Sequence, residues 1–201
     1  EGGPRGKTNK KSSSSSSPSL SPSRGGAVVV EKASIDEAYV QLPAGCVLAT
    51  AAPAAARAVR DLVKRRLHLV VSVGAAHNKL LAKLASVASK PDGVLVVATE
   101  TDVARLLAET PAVKLPGCGG AVASKLQTAL GARVVSDLAD VPLTRLTTAL
   151  GLTPAAAAAV SAASRGECDA PVVPTRPGGG GGGGGGSKSV GVHMTLTATP
   201  R

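Results

Sequence analysis

Aromatic side chains are almost absent from this sequence of 201 residues, in which Tyr39 is the single Tyr and neither Phe nor Trp occurs. Methionine is as scarce, with Met194 alone. Aromatic residues supply much of the buried area in ordinary cores. A core must therefore be built from Ala, Val and Leu, and it can bury few large side chains.

Paired cysteines and long apolar runs are also missing. Cys46, Cys118 and Cys168 are isolated in the sequence, which excludes the usual zinc spacings and a disulfide framework and fits a reducing compartment. No apolar run approaches the roughly 20 residues of a membrane span, and the Ser-rich start has no apolar signal core. We therefore expect an intracellular protein without a membrane partner.

Positive charge is abundant and concentrated. The formal net charge is +10, and residues 51–90 contain eight Lys or Arg against Asp61 as their single acid. Such clustering favours a polyanionic partner. A basic surface without any partner is the alternative.

Apolar periodicity predicts strands and helices in alternation, the pattern of a domain built on a mixed sheet. This domain is predicted to span residues 27–98 and to follow a Ser-rich basic tail, residues 1–26, that is expected to be disordered. The predicted elements are a strand at 27–30, a helix at 53–67, a strand at 67–73, a helix at 76–89 and a strand at 94–98.

Beyond residue 98 the sequence changes to short helices, which predict a small all-α unit over residues 99–170. Thr101, Ser136 and Thr153 are candidate N-caps, with Pro154 at a first helical position, while Gly151 and Gly166 are candidate helix ends. Residues 171–187 include nine consecutive glycines and are typical of a linker, and residues 188–201 would begin a further domain. The fold class expected is α+β.

The adjacent acids Asp36 and Glu37 lie between apolar residues. Adjacent acids usually belong to a solvated turn, but two carboxylates in apolar surroundings are costly unless their charge is compensated. A divalent metal would compensate it, and Mg²⁺ prefers such oxygen ligands.

The segment Glu31-Lys32-Ala33-Ser34-Ile35-Asp36-Glu37-Ala38-Tyr39-Val40 resembles the palm motif of Y-family (translesion) DNA polymerases, most closely the polymerase eta branch. The resemblance implies that Asp36 binds both catalytic Mg²⁺ ions and that Glu37 binds the ion activating the primer 3′-hydroxyl. Two-metal nucleotidyl transfer needs such ligands. Gln41 departs from the family, which usually has Asp there.

A second resemblance covers Gly74 to Ser86 and continues to Lys90-Pro91. At about 100° per residue, Lys79, Lys83 and Lys90 would share an arc of roughly 40° on one helix face. An amphipathic surface helix is the plain interpretation of such a stripe. The resemblance implies instead that Lys83 and Lys90 approach the triphosphate of an incoming nucleotide.

The glycine turn Leu115-Pro116-Gly117-Cys118-Gly119-Gly120 predicts a hairpin between helices. Its resemblance to the family's thumb implies that Gly117, Gly119 and Lys125 hold the DNA backbone. Lys188, in a segment similar to the start of the family's little finger, would add another backbone contact. A nucleotide hydrolase is disfavoured because the turn lacks the Gly-Lys-Ser/Thr of a P-loop.

The resemblance runs from about residue 28 to 191. It implies the second half of a palm, a thumb with a helix-hairpin-helix-like turn and a linker, without the family's N-terminal palm strand and fingers. The implied partners are a DNA primer-template, deoxynucleoside triphosphates and a sliding clamp bound through regions outside this sequence, and the implied location is the nucleus. We expect this chain alone to extend primers poorly. A non-catalytic DNA-binding or scaffold protein that keeps the thumb-like unit is the alternative.

Overall fold

The computed structural model describes residues 28–43 and 45–175 and the backbone of residues 191–195. The predicted disordered tail, the glycine run of the linker and Lys188 lie outside these residues.

Five strands form one mixed sheet: β1 (Val29–Lys32), β2 (Glu37–Gln41), β3 (Ser72–Ala76), β4 (Val94–Val96) and β5 (Gly191–Thr195). Their order across the sheet is β1-β2-β5-β3-β4. The β1–β2 pair is antiparallel, and every other pair is parallel. Residues 191–195, which the sequence places at the start of a further domain, thus lie between the two halves of this sheet.

Small residues in β3 allow a helix to lie directly on the sheet. Helix α2 (Lys79–Ala88) packs on this strand. A Cβ atom at Gly74 would overlap the carbonyl oxygen of Ala82 and the amide nitrogen of Ser86. Glycine at this position therefore fixes the close approach of α2 and β3.

The opposite face of the sheet is covered by helix α1 (Leu48–Leu67). Ala52 and Ala56 of this helix form a small core with Val73 and Ala75 of β3. Because successive residues of a strand point to opposite faces, α1 and α2 enclose β3 from two sides. The sheet is thus the middle layer of three.

The remaining helices form a compact unit whose core is continuous with the inner face of α2. Leu81 and Leu84 of α2 belong to the same cluster as Leu126, Leu146 and Val160. No single helix in the described part of the chain has the length and hydrophobicity of a membrane span, although the bent pair of helices Leu143–Leu150 and Pro154–Ser164 reaches that composition together. The helices are α3 (Glu100–Glu109), α4 (Ala123–Leu130), α5 (Leu143–Leu150) and α6 (Pro154–Ser164), with 3₁₀ turns at Ala112–Lys114, Gly120–Val122 and Val135–Leu138.

The α+β architecture is confirmed, while several element boundaries differ from the prediction. The strand expected at 67–73 begins at Ser72, because Leu69 and Val70 are exposed and the buried residues follow them. The cap of α3 is Thr99 rather than Thr101, since Thr99 and Asp102 form a capping box. Ser136 lies within a 3₁₀ turn instead of capping a helix.

Two predicted helix boundaries in the small unit are confirmed. The Thr153 side chain accepts a hydrogen bond from the amide of Ala156 at the start of α6, with Pro154 in the first helical position. Gly151 ends α5 with a φ of 70°, a left-handed conformation that glycine adopts without strain.

Candidate functional site

The acidic pair lies at the tight turn between β1 and β2. The backbone amides of Ala33 and Ser34 donate to the carbonyl oxygen of Glu37 at 2.9 and 3.1 Å, closing the turn. The Ser34 hydroxyl donates to Oδ1 of Asp36 at 2.6 Å and accepts from the Asp36 amide at 3.3 Å. The turn thereby holds the Asp36 carboxylate beside the first residue of β2, which is Glu37.

Glu37 and Lys83, predicted separately from two motifs, are in direct contact. Lys83 Nζ lies 2.8 Å from Glu37 Oε2, and the two side chains are 32% and 23% exposed. Helix α2 carries the lysine and β2 the carboxylate, so the packing that Gly74 permits brings them together. The fold thus places a cation next to the predicted metal ligand.

Lys79 has a different environment from the one expected of a residue that faces a bound anion. Its Nζ lies 2.7 and 2.9 Å from the two carboxylate oxygens of Glu31 and 4.7 Å from the centre of the Tyr39 ring. It also donates to the carbonyl oxygen of Pro171 at 3.3 Å. Lys79 is therefore committed to contacts within the protein.

Glu31 is the residue of this region whose role sequence reasoning missed. Besides the contact with Lys79, it accepts a hydrogen bond from the amide of Val173 at 2.7 Å. Two features point to Glu31: it lies opposite Tyr39 in the β1–β2 register, and Lys79 and Lys83 are one helical turn apart. Neither feature identifies Lys79 as the partner of Glu31 until the position of α2 over the β1–β2 hairpin is known.

Burial and neighbouring charges change the acidity of this cluster. Burial by itself would raise the pKa of Glu31, but the hydrogen bonds from Lys79 and the Val173 amide outweigh it and hold that pKa below its ordinary value. Burial, followed by the charges of Glu37 and Glu31, raises the pKa of Tyr39 to about 12. Glu31 is thus ionised and Tyr39 neutral at neutral pH.

Lys90 does not share a helix face with Lys79 and Lys83, because α2 ends at Ala88. Lys90 lies in the turn that follows, before Asp92, which has a φ of 50°. Arg60 Nη1 of α1 donates to the Asp92 carbonyl oxygen at 3.0 Å and thereby anchors this turn. The predicted contact of Lys90 with a triphosphate stays a prediction.

The glycine turn joins two 3₁₀ segments of the helical unit. Gly117 and Gly120 have φ values of 84° and 56°, which glycine tolerates best. Cys118 between them is buried, and its amide donates to the Leu115 carbonyl oxygen at 3.0 Å. Lys125 Nζ donates to the carbonyl oxygen of Leu150 at the end of α5, at 3.4 Å. A DNA-backbone role for Gly117, Gly119, Lys125 and Lys188 stays a prediction.

Carboxylate oxygens are suitable donors for Mg²⁺. Asp36 and Glu37 are adjacent in the chain and supply such donors. Within the described ranges, however, no group of three or more His, Cys, Asp or Glu could hold a metal ion. These residues therefore fit part of a metal site, whose other ligands would come from substrate phosphate, water or residues outside the described ranges.

Comparisons with known proteins place these residues in a family context. The model of the impB/mucB/samB family matches residues 23–87, which include the acidic turn and most of α2. DNA polymerase IV of Halorhodospira halophila is 37% identical over 170 residues, covering 85% of this chain and 44% of that protein. DNA polymerase IV of Pseudomonas aeruginosa is 41% identical over 110 residues, covering 55% and 31%. The chain thus spans less than half the length of these curated relatives.

These relatives correct two expectations. They carry the name DNA polymerase IV, so the comparisons do not support the assignment to the polymerase eta branch. They also come from bacteria, which have no nucleus, so the predicted nuclear location is wrong. The segment from Glu31 to Val40 is too short a pattern to separate branches of one family.

A similar fold occurs in a solved polymerase structure. The structure titled Dbh ternary complex (substrates partially disordered) matches with a TM-score of 0.50 and 28% identity, over 59% of this chain and 34% of that one. In sequence and in fold, parts of this chain are therefore similar to the impB/mucB/samB family, to DNA polymerase IV and to the Dbh ternary complex.

Proposed function

We propose that this chain is part of a template-directed DNA polymerase of the lesion-bypass type. The observation that carries the proposal is the contact between Glu37 and Lys83. In this contact the proposed ligand of a divalent cation lies beside the proposed phosphate-binding lysine, and both lie inside the region that the family model matches. Metal ions and cationic side chains both stabilise a transferring phosphoryl group.

Asp36 and Glu37 are the proposed ligands of divalent cations, with Mg²⁺ as the natural ion. When bound, the ions would stabilise the attacking and leaving oxygens of an in-line phosphoryl transfer. Ser34 would orient the Asp36 carboxylate through its short hydrogen bond of 2.6 Å. Lys83 and Lys90 would bind the triphosphate as flexible point charges.

The helical unit would hold the DNA duplex by its phosphates. Such contacts position a protein on DNA without selecting a sequence, which suits an enzyme that must accept any template. Gly117, Gly119, Lys125 and Lys188 are the proposed backbone contacts. A sliding clamp bound through regions outside this sequence also belongs to the proposal.

Nucleotide binding by the purified chain tests this proposal. Isothermal titration with a deoxynucleoside triphosphate in Mg²⁺ should show binding that weakens in Glu37→Gln and in Lys83→Met. Glu109→Gln is the matched control, because Glu109 is an exposed carboxylate at the end of α3, away from the acidic turn.

Two outcomes would oppose the proposal. Equal nucleotide binding by the wild type and by Glu37→Gln would show that Glu37 does not hold a metal ion for the nucleotide. DNA binding without any nucleotide binding would favour the non-catalytic DNA-binding alternative.

A further inference from the structure

Two ion pairs connect helix α2 to the β1–β2 hairpin, one helical turn apart. Lys79 pairs with Glu31 on β1, and Lys83 pairs with Glu37 on β2. The two lysines are four residues apart, so they lie on the same side of α2. Each pair joins a lysine to a glutamate, but the two pairs differ in how far their side chains are buried.

The Lys79–Glu31 pair is held on several sides. Its side chains are 15% and 19% exposed. Lys79 also contacts the Tyr39 ring and the Pro171 carbonyl oxygen, and Glu31 also accepts from the Val173 amide. Separating this pair would leave two charges poorly solvated and would disturb the hydrogen bonds of Pro171 and Val173 to them, so we regard it as fixed.

The Lys83–Glu37 pair is more accessible to solvent. Its side chains are 32% and 23% exposed, and Lys83 Nζ donates to Glu37 Oε2 at 2.8 Å. A partly exposed pair of this kind contributes modest net stability. Lys83 can therefore exchange the Glu37 carboxylate for another anion at a modest cost.

We propose that the Lys83–Glu37 ion pair is an internal latch that divalent cation and nucleotide phosphate open together. In the free protein Lys83 neutralises the Glu37 carboxylate, and a cation binding Glu37 must displace it. The released ammonium group is then available to a phosphate oxygen. This inference rests on the proposed function, since it assigns how the two ligands of that site depend on each other.

The latch makes the two binding events cooperative. Whichever ligand arrives first bears the cost of separating the pair, and the second ligand is spared that cost. By thermodynamic linkage, the cation strengthens phosphate binding by the same factor by which phosphate strengthens cation binding. Each ligand alone should bind more weakly than it does in the presence of the other.

Binding of Mn²⁺ alone to the complete 201-residue chain, followed by electron paramagnetic resonance, tests the latch. Without nucleotide, Lys83→Met should bind Mn²⁺ about three- to fivefold more tightly than the wild type, because a partly exposed pair of this kind is worth up to about that factor. Lys32→Met is the charge control. Lys32 lies opposite Ala38 in the hairpin register, so this variant removes a nearby positive charge while leaving the pair intact. It should change Mn²⁺ affinity less than Lys83→Met does.

Glu37→Gln separates failure of the latch from failure of the proposed function. Mn²⁺ binding that requires Glu37 but is equally tight in the wild type and Lys83→Met would overturn the latch and leave the metal site standing. An equal gain in Lys32→Met and Lys83→Met would also overturn it, as a general effect of charge. Mn²⁺ binding that is unchanged by Glu37→Gln in every variant would overturn the metal site and the latch together.

Discussion

Lys79 of helix α2 forms hydrogen bonds of 2.7 and 2.9 Å with both carboxylate oxygens of Glu31 on β1. The same carboxylate accepts from the Val173 amide, and Thr175 exchanges hydrogen bonds with Val30 and Lys32 of β1. Residues that follow the helical unit are thereby tied to the edge of the sheet. This cluster fixes the position of α2 over the hairpin and hence the meeting of Lys83 with Glu37.

Replacing Glu31 by Gln should destabilise the fold. The change leaves the largely buried Lys79 ammonium without its counter-charge, which we expect to lower the free energy of unfolding by about 1–3 kcal/mol. Urea denaturation followed by circular dichroism measures this difference. Glu109→Gln, at an exposed carboxylate, should unfold like the wild type, and equal stability of Glu31→Gln and the wild type would refute the role given to the pair.

Acid should weaken the same cluster in a definite range of pH. Because the pKa of Glu31 in the folded state is lowered from 4.5, the unfolded chain binds its proton first as pH falls. The Glu31 carboxylate makes its full contribution to the unfolding free energy above about pH 4.5. That contribution is lost as the pH falls through the lower pKa that Glu31 has in the folded state. The unfolding free energy of the wild type should therefore decline more steeply below about pH 4.5 than that of Glu31→Gln. Parallel declines in the two proteins would contradict this assignment.

Gly74 should be intolerant of even a single added methyl group. A Cβ there overlaps backbone atoms of Ala82 and Ser86, so Gly74→Ala must push α2 away from β3. Thermal unfolding should show a loss of at least about 1–3 kcal/mol, as for overpacking of a tight core. Gly119→Ala, where a Cβ would meet no atom within 4 Å, should keep wild-type stability. Similar melting of both variants would contradict the close packing of α2 on β3.

The three cysteines should differ in reactivity. Burial raises the pKa of Cys118 to about 11, so at pH 8 its thiolate is scarce as well as inaccessible. Cys46 and Cys168 are half-buried. Iodoacetamide followed by peptide mass mapping should modify Cys46 and Cys168 in the native protein and Cys118 after unfolding. Rapid alkylation of native Cys118 would show that the core around the glycine turn is more open than described.

DNA binding should depend strongly on salt, because it rests on phosphate contacts. If Lys125 contacts a phosphate, Lys125→Met should reduce the slope of log affinity against log salt by about one. Lys64→Met is the matched control, since Lys64 is an exposed lysine of α1 that pairs with Asp92. If the slope is unchanged in Lys125→Met, Lys125 does not contact a phosphate. Its role is then to cap the end of α5 through the Leu150 carbonyl oxygen.

Local signals in the sequence predicted much of the fold. Apolar spacing indicated α1, α2 and the sheet, and the Thr153-Pro154 pair located the start of α6. Gly74 belongs to the second family-like motif, but the sequence does not show why glycine is needed there. The reason is the close packing of α2 against β3, which leaves no room for a Cβ atom. Where the apolar run extended beyond the strand, as at Leu69 and Val70, sequence alone could not distinguish buried from exposed residues.

The candidate site was predicted in its parts but not in its pairings. The sequence singles out Asp36 and Glu37 by their apolar surroundings and by resemblance, and Lys83 by resemblance. It assigns no role to Glu31, because that role depends on a long-range contact with Lys79. A helical wheel grouped three lysines by angle alone. It could not show that one would be used internally, nor that the helix ends before Lys90.

The most direct test of the central claim is primer extension by the complete protein that carries this sequence. We expect extension by nucleotides complementary to the template, reduced by about two orders of magnitude or more in Glu37→Gln because stabilisation of the transferring phosphoryl group is lost. DNA binding should be retained in that variant. Full extension by Glu37→Gln, or tight DNA binding without any extension by the complete wild-type protein, would contradict the claim.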